Sequence, residues 1–225
     1  MNTMRILLPM QLKYMAIPLS FFSFFFILFG LFRGANTDPF MFSMFSMFIL
    51  IGSTYVSVFK DERFHRILFS MPISTKEIIK TFYVSGFIAF LYLYTVSILL
   101  SFYLTANYGN SEYIEWTMTI FNAILVILGV QTRYYLTSDM EPNWGLDFLI
   151  VMGVFFLYGI PSMFFVIGLT EEVLPFNLFI RSFIVFAISM FIYWRMYKKS
   201  VNTITAFYVE IDEKLKNGEH RSIHE

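Results

Sequence analysis

Residues 78–106 read IIKTFYVSGFIAFLYLYTVSILLSFYLTA, a run of 29 residues in which Lys80 is the sole charge. Wound as an α-helix, this run is about 43 Å long at 1.5 Å per residue. The hydrocarbon core of a bilayer is only ~30 Å thick. The run is therefore more than long enough to cross a membrane, and its Lys80 end is expected to project beyond it. Five further apolar runs flank it, at residues 15–32, 39–59, 114–136, 146–169 and 173–197. Each is close to or above the ~20 residues that a crossing helix needs, allowing for tilt. The expected fold is all-α: a polytopic integral membrane protein with six transmembrane helices.

Six crossings return both termini to one side, and the basic residues say which. Of the sixteen Lys and Arg residues, fourteen fall on the N-terminus, the even loops and the tail. Arg5 and Lys13 precede the first run, and Lys60, Arg63, Arg66, Lys76 and Lys80 surround the second loop. Arg133 closes the fourth run, and Arg195, Lys198, Lys199, Lys214, Lys216 and Arg221 end the chain. Only Arg33 and Arg181 fall elsewhere. Cytoplasmic loops carry the Lys/Arg excess, so both termini are expected inside. A transmembrane domain over 1–200 and a cytoplasmic amphipathic tail over 201–225 follow.

Composition excludes the soluble classes. Charged residues are 14% of the chain and hydrophobic ones 57%, whereas a soluble domain normally carries about 25% charged residues. A net charge of +0 conceals the segregation just described, and no nucleic-acid partner is expected. Without cysteine, the chain has neither disulfides nor thiolate metal sites. The first run follows a basic start, but Arg33-Gly34-Ala35-Asn36 offers no small-x-small cleavage site. It reads as a retained anchor.

Several local signals refine the helices. Asp38-Pro39 reads as an N-cap followed by proline at the first helical position. Asn107-Tyr108-Gly109-Asn110 is turn chemistry. Tyr103, Tyr108, Tyr113 and Trp116 mark one aromatic belt; Tyr134, Tyr135, Trp144, Tyr193, Trp194 and Tyr197 mark the other. Pro161 removes a backbone donor inside the fifth run and should kink it. Gly30/Gly34, Ser53/Ser57 and Ser85/Ala89 are small pairs four apart that let helices approach closely. After the last crossing, Val201, Ile204, Tyr208, Ile211 and Leu215 keep the helical spacing to about Asn217-Gly218.

The loop at residues 60–77, KDERFHRILFSMPISTKE, is the informative connection. Helix–helix connections usually take two to eight residues, and this one is far longer. Phe64, Ile67 and Leu68 fall at i, i+3 and i+4, one apolar face of a short helix. Pro72 ends that helix, and Ser74-Thr75-Lys76-Glu77 is a capping box that opens the next. Two readings fit this amphipathic segment. Its ridge docks into a partner's groove, or it lies flat on the inner leaflet.

Here the chain resembles a family. Glu62, then Leu68-Phe69-Ser70-Met71-Pro72-Ile73-Ser74, then Ile78-Ile79-Lys80-Thr81-Phe82-Tyr83, look like the loop between the second and third helices of ABC-2 type transporter permeases. Length and six-helix layout are similar too. Thr75-Lys76 stands where many members have an arginine directly after the serine. The resemblance implies that the loop is a coupling helix docking on a separate ABC ATPase subunit, with Glu62, Phe64, Arg66, Ile67, Leu68, Met71 and Pro72 at that contact. It also implies a second permease subunit, identical or not, and a bilayer around both. Within the family, the chain looks similar to membrane subunits of Gram-positive exporters for amphipathic peptides, of which the staphylococcal phenol-soluble-modulin exporter is one.

Other chemistry is sparse. There is no G-x-x-x-x-G-K-[ST] phosphate loop, no H-E-x-x-H and no G-x-S-x-G, so neither catalysis nor a cofactor is expected in this chain. His65, His220 and His224 lie in the loop and the tail. No ionisable residue sits near the centre of a run, which disfavours an ion-driven carrier. Arg181, near the start of the sixth run, can snorkel outward, or residues 173–179 form a re-entrant segment closed by Pro175. Asn122 and Gln131, nine apart, project to opposite sides of one helix and suit interhelical hydrogen bonds. Thirty Phe and fourteen Met suit an apolar or amphipathic cargo such as a peptide, lipid or drug, or simply a lipid-facing surface. The expected function is a permease subunit of an ATP-driven exporter in the cell membrane. Its rivals are a membrane receptor or scaffold, and a membrane enzyme using Asp139, Glu141 and Asp147.

Overall fold

The computed structural model describes residues 4–33, 38, 74–109, 112–137, 144–166 and 178–216. Within them lie α1 (Met4–Arg33), α2 (Thr75–Tyr108), α3 (Glu112–Thr137), α4 (Trp144–Val154), a π turn at Phe155–Gly159, α5 (Ile160–Val166) and α6 (Leu178–Lys216). The described residues contain no strand. Among the described residues, five spans are long and apolar enough to cross a membrane: Leu7–Phe32, Lys76–Tyr108, Glu112–Tyr134, Leu149–Val166 and Phe179–Thr203. The crossing expected at 39–59 lies outside the described residues. So do all the residues assigned to ATPase docking, from Glu62 to Pro72.

The ends of α2 follow from its sequence. Ser74 is the N-cap, in extended conformation, and its Oγ accepts from the Glu77 N–H at 3.4 Å. The acidic Glu77 in the first turn suits the positive end of the helix dipole. At the other end Gly109 takes φ 72°, the left-handed conformation that glycine adopts without penalty, and its N–H closes on the Thr105 carbonyl at 2.8 Å. This leaves α2 at 34 residues, about 51 Å long.

Interhelix pairs fix the directions. Gln11 of α1 meets Ser85 of α2, and Gly30 meets Leu100, so these two helices run parallel. Tyr83 meets Gly129 and Ser101 meets Thr117, so α3 runs antiparallel to α2. Asn122 meets Ser182, and Gly129 packs on Tyr193, so α6 runs parallel to α3. The start of α2, the end of α3 and residues near 200 of α6 therefore share one end of the bundle.

At the centre is α3. Every residue from 119 to 129 is buried, which for a helix means neighbours on all sides. They are α2, α6 and the α4–π–α5 unit. Phe121 of α3 packs against Phe90 and Tyr94 of α2, and Phe90 also stacks on Phe186 of α6, an aromatic layer across three helices. The outward faces carry exposed Phe, Ile and Leu, as on Phe21, Phe24, Leu157 and Phe183.

The expected kink at Pro161 takes the form of the π turn. Proline supplies no N–H and its ring crowds the carbonyl four residues back, that of Leu157. Widening the preceding turn relieves that crowding, and the Ile160 N–H reaches the Phe155 carbonyl instead. Gly159 is needed inside the turn, because a Cβ there would lie 2.9 Å from the Phe155 ring. Ser162 Oγ donates to the Gly159 carbonyl at 2.8 Å.

Candidate functional site

Ser74 caps α2, so the opening turns of that helix directly follow the loop at 60–73 in sequence. Those turns are tightly held. Ile78, Ile79, Phe82 and Tyr83 are buried, while Lys76 and Lys80 are exposed. The apolar side faces α1, α3 and α6, and the basic side faces away.

Tyr83 ties three helices together. Its hydroxyl donates to the Gly129 carbonyl of α3 at 3.3 Å and shares a 2.9 Å hydrogen bond with Ser200 Oγ of α6. In return, Tyr193 of α6 donates to the backbone carbonyl of Tyr83 at 2.7 Å. The two rings meet edge to face at 5.3 Å, and Tyr197 meets Tyr83 likewise at 5.5 Å. Tyr193 fits because two helices lack side chains where it lies. A Cβ on Gly129 would come within 2.9 Å of its ring, and one on Gly86 within 3.3 Å of its hydroxyl. On the far side of α2, Ser85 Oγ donates to Gln11 Oε1 at 2.9 Å.

The polar contacts of the junction are directional hydrogen bonds between neutral groups. The half-buried Arg133 lies close by, its Nη1 3.9 Å from Met196 Sδ. Hydroxyls bonded to carbonyls and to one another have neither the nucleophile–base pairing nor the paired carboxylates of a catalytic centre. They suit mechanical linkage. Each such bond within a membrane is modest, ~0.6 kcal/mol on average. Most of the holding energy must come from the buried rings and the close helix approach.

Elsewhere, Asn122 Nδ2 reaches the carbonyl and Oγ of Ser182 at 3.4 Å, an interhelical link of the expected kind. Tyr158 of the π turn donates to the Val185 carbonyl at 3.2 Å and shares a 2.7 Å bond with Ser189. Arg181 does not snorkel outward: the bundle buries it, leaving 6% exposed. Two belt assignments also change. Tyr193 is buried in the junction, and Tyr113 is buried against Leu100 and Leu104. Trp194, Tyr103 and Tyr108 remain exposed. Among the described residues no group of His, Asp and Glu gathers as a metal site. Asp139, Glu141 and all three histidines lie outside them.

The tyrosine junction had a sequence signal that its apolar setting concealed. Gly86 and Gly129 each interrupt a long apolar run, and glycine inside a helix often marks close approach of another element.

A family model described as ABC-2 family transporter protein matches residues 8–205, most of the chain. No curated protein and no solved structure matches.

Proposed function

The chain belongs to the ABC-2 transporter family, and on that premise we propose that it is the permease subunit of an ATP-driven exporter, moved by a separate ABC ATPase through the loop at 60–73. The family makes it a multi-pass membrane protein and a transporter subunit rather than an enzyme. The observation that carries the coupling reading is the Tyr83–Tyr193 junction, which joins the helix next to that loop to α3 and α6. ATP binding closes the ATPase pair, the loop moves with it, and the junction passes the displacement into the bundle. A second permease subunit completes the path. The cargo is apolar or amphipathic, in keeping with an interior layered with Phe90, Phe121 and Phe186.

Purified alone, the chain should hydrolyse ATP no faster than background, and hydrolysis with transport should appear only with its ATPase in the same proteoliposomes. Robust turnover by the isolated chain would defeat the subunit reading.

The crossing number proposed is six, with both termini cytoplasmic and the cell membrane as the site of action. Supporting this, Lys13, Lys76, Lys80, Arg133, Arg195, Lys198 and Lys199 sit on helix segments that gather at one end of the bundle. Asn110→Cys, between α2 and α3, should react with an impermeant thiol reagent from outside. Asn202→Cys, exposed on α6, should react only after the membrane is opened. Ser200, buried on Tyr83, would report poorly. Equal external labelling of Asn110→Cys and Asn202→Cys would sink the topology.

A further inference from the structure

One face of α6 changes character along its length. Ile180, Phe183, Ile184, Ile188, Phe191 and Trp194 are all exposed, at three- and four-residue steps that align them in one stripe. Arg195, Lys198 and Lys199 come next and are exposed as well. From Ile180 to Lys198 the helix rises about 27 Å, close to the ~30 Å of a hydrocarbon core. The apolar stripe therefore runs along acyl chains, and its cations emerge where headgroups begin.

Two of these cations rest on rings of the same face. The Lys198 ammonium lies 3.9 Å from the centre of the Trp194 ring, and the Arg195 guanidinium lies 5.9 Å from that of Phe191. A ring attracts a cation through its quadrupole but brings no countercharge. Both side chains are thus held in place by contacts that bring no opposite charge. At three residues apart, Arg195 and Lys198 lie on the same face and can flank one anion between them. Guanidinium fits phosphate oxygens with two parallel donors, and ammonium adds a compact charge.

We propose that Trp194, Arg195 and Lys198 form a binding site for the headgroup of an anionic phospholipid, its phosphodiester between the two cations and its acyl chains along Phe183–Phe191. Charge complementarity and the unbroken passage from apolar stripe to cation pair favour a lipid over a soluble anion. The site makes the transporter sensitive to the anionic fraction of its membrane, whatever its cargo and however it engages an ATPase.

The full chain with Trp116→Phe and Trp144→Phe keeps Trp194 as its sole tryptophan. In nanodiscs of equal phosphatidylglycerol and phosphatidylcholine, brominating one lipid at a time reports which lies against that ring. Brominated phosphatidylglycerol should quench Trp194 the more strongly. The preference should fall about fivefold for each cation removed, in Arg195→Gln and in Lys198→Gln, and persist in Lys198→Arg. A second readout needs no tryptophan changes. Phosphatidylglycerol should raise the Tm of the unaltered protein in detergent more than phosphatidylcholine does, and Arg195→Gln/Lys198→Gln should abolish that difference. Equal quenching by both lipids overturns the proposal, as does a preference or Tm difference that survives the double substitution. Equal loss of preference in Lys13→Gln, which removes an exposed charge on α1, also overturns it, by assigning the effect to a diffuse field.

Discussion

With Phe64 and Leu68 both changed to alanine, the ATPase subunit should no longer co-purify with this chain in detergent, while the helical bundle keeps its stability. The two residues are four apart in sequence, the spacing that the proposed coupling helix needs to set them on one ridge. Burying each in a partner's groove is worth roughly 1.5–3 kcal/mol. Losing both removes about 3–6 kcal/mol, and every 1.4 kcal/mol is tenfold in affinity, so association should weaken at least about a hundredfold. The bundle should be indifferent, because α2 keeps its own cap at Ser74 and its own buried face. An interfacial helix lying on the leaflet predicts otherwise: the ATPase stays bound and the loop loosens from the bilayer. Unchanged ATPase stoichiometry together with normal transport would remove the reason for assigning docking to this loop.

Tyr193→Ala should be the most damaging single change among the described residues, and Tyr193→Phe one of the mildest. Alanine leaves a hole between Gly86 and Gly129, two positions with no side chains to collapse into it. Removing a buried aromatic ring typically costs about 3–5 kcal/mol. Phenylalanine keeps the ring and loses only the hydroxyl's bond to the Tyr83 carbonyl, ~0.6 kcal/mol in a membrane setting. Thermal unfolding in detergent should therefore separate the two variants widely. In the reconstituted complex, any Tyr193→Ala protein that folds should bind its ATPase and permit hydrolysis while transport falls, because the link from α2 to α6 is reduced to the Tyr83–Ser200 hydrogen bond and the ring contacts of Tyr83 with Tyr197 and of Phe90 with Phe186. Similar behaviour of both variants would mean that the hydroxyl, not the packed ring, holds the junction.

The membrane class was legible from apolar run length alone, since a helix in lipid satisfies its own backbone and needs little else from its sequence. The capping box at Ser74 and the turn at Gly109 were legible for the same local reason: each is decided within four residues. What the sequence hid was non-local. Tyr193 and Trp194 are neighbours with similar chemistry, and both suit an aromatic belt. Only the notch at Gly86 and Gly129, more than sixty residues upstream, takes Tyr193 inward and leaves its neighbour exposed. Arg181 misled likewise, because snorkelling is argued for a lone helix in lipid and its actual surroundings are other helices. Pro161 announced a break but not its form. Whether a proline yields a kink or a wider turn depends on room nearby, here supplied by Gly159 beside Ala123.

The length of α6 has a mechanical consequence. The last crossing and the segment after it form one unbroken helix to Lys216, which runs on for about 35 Å past Tyr193. A rod pinned at that ring acts as a lever. A tilt of about 10° would swing its far tip by roughly 6 Å over that length, while Phe186 and Ser200, seven residues to either side of the pivot, move by only about 2 Å. The reverse also holds: a modest push on the tip arrives at the pivot as a small, forceful rotation. The geometry trades distance for force, and it does so with a single helix.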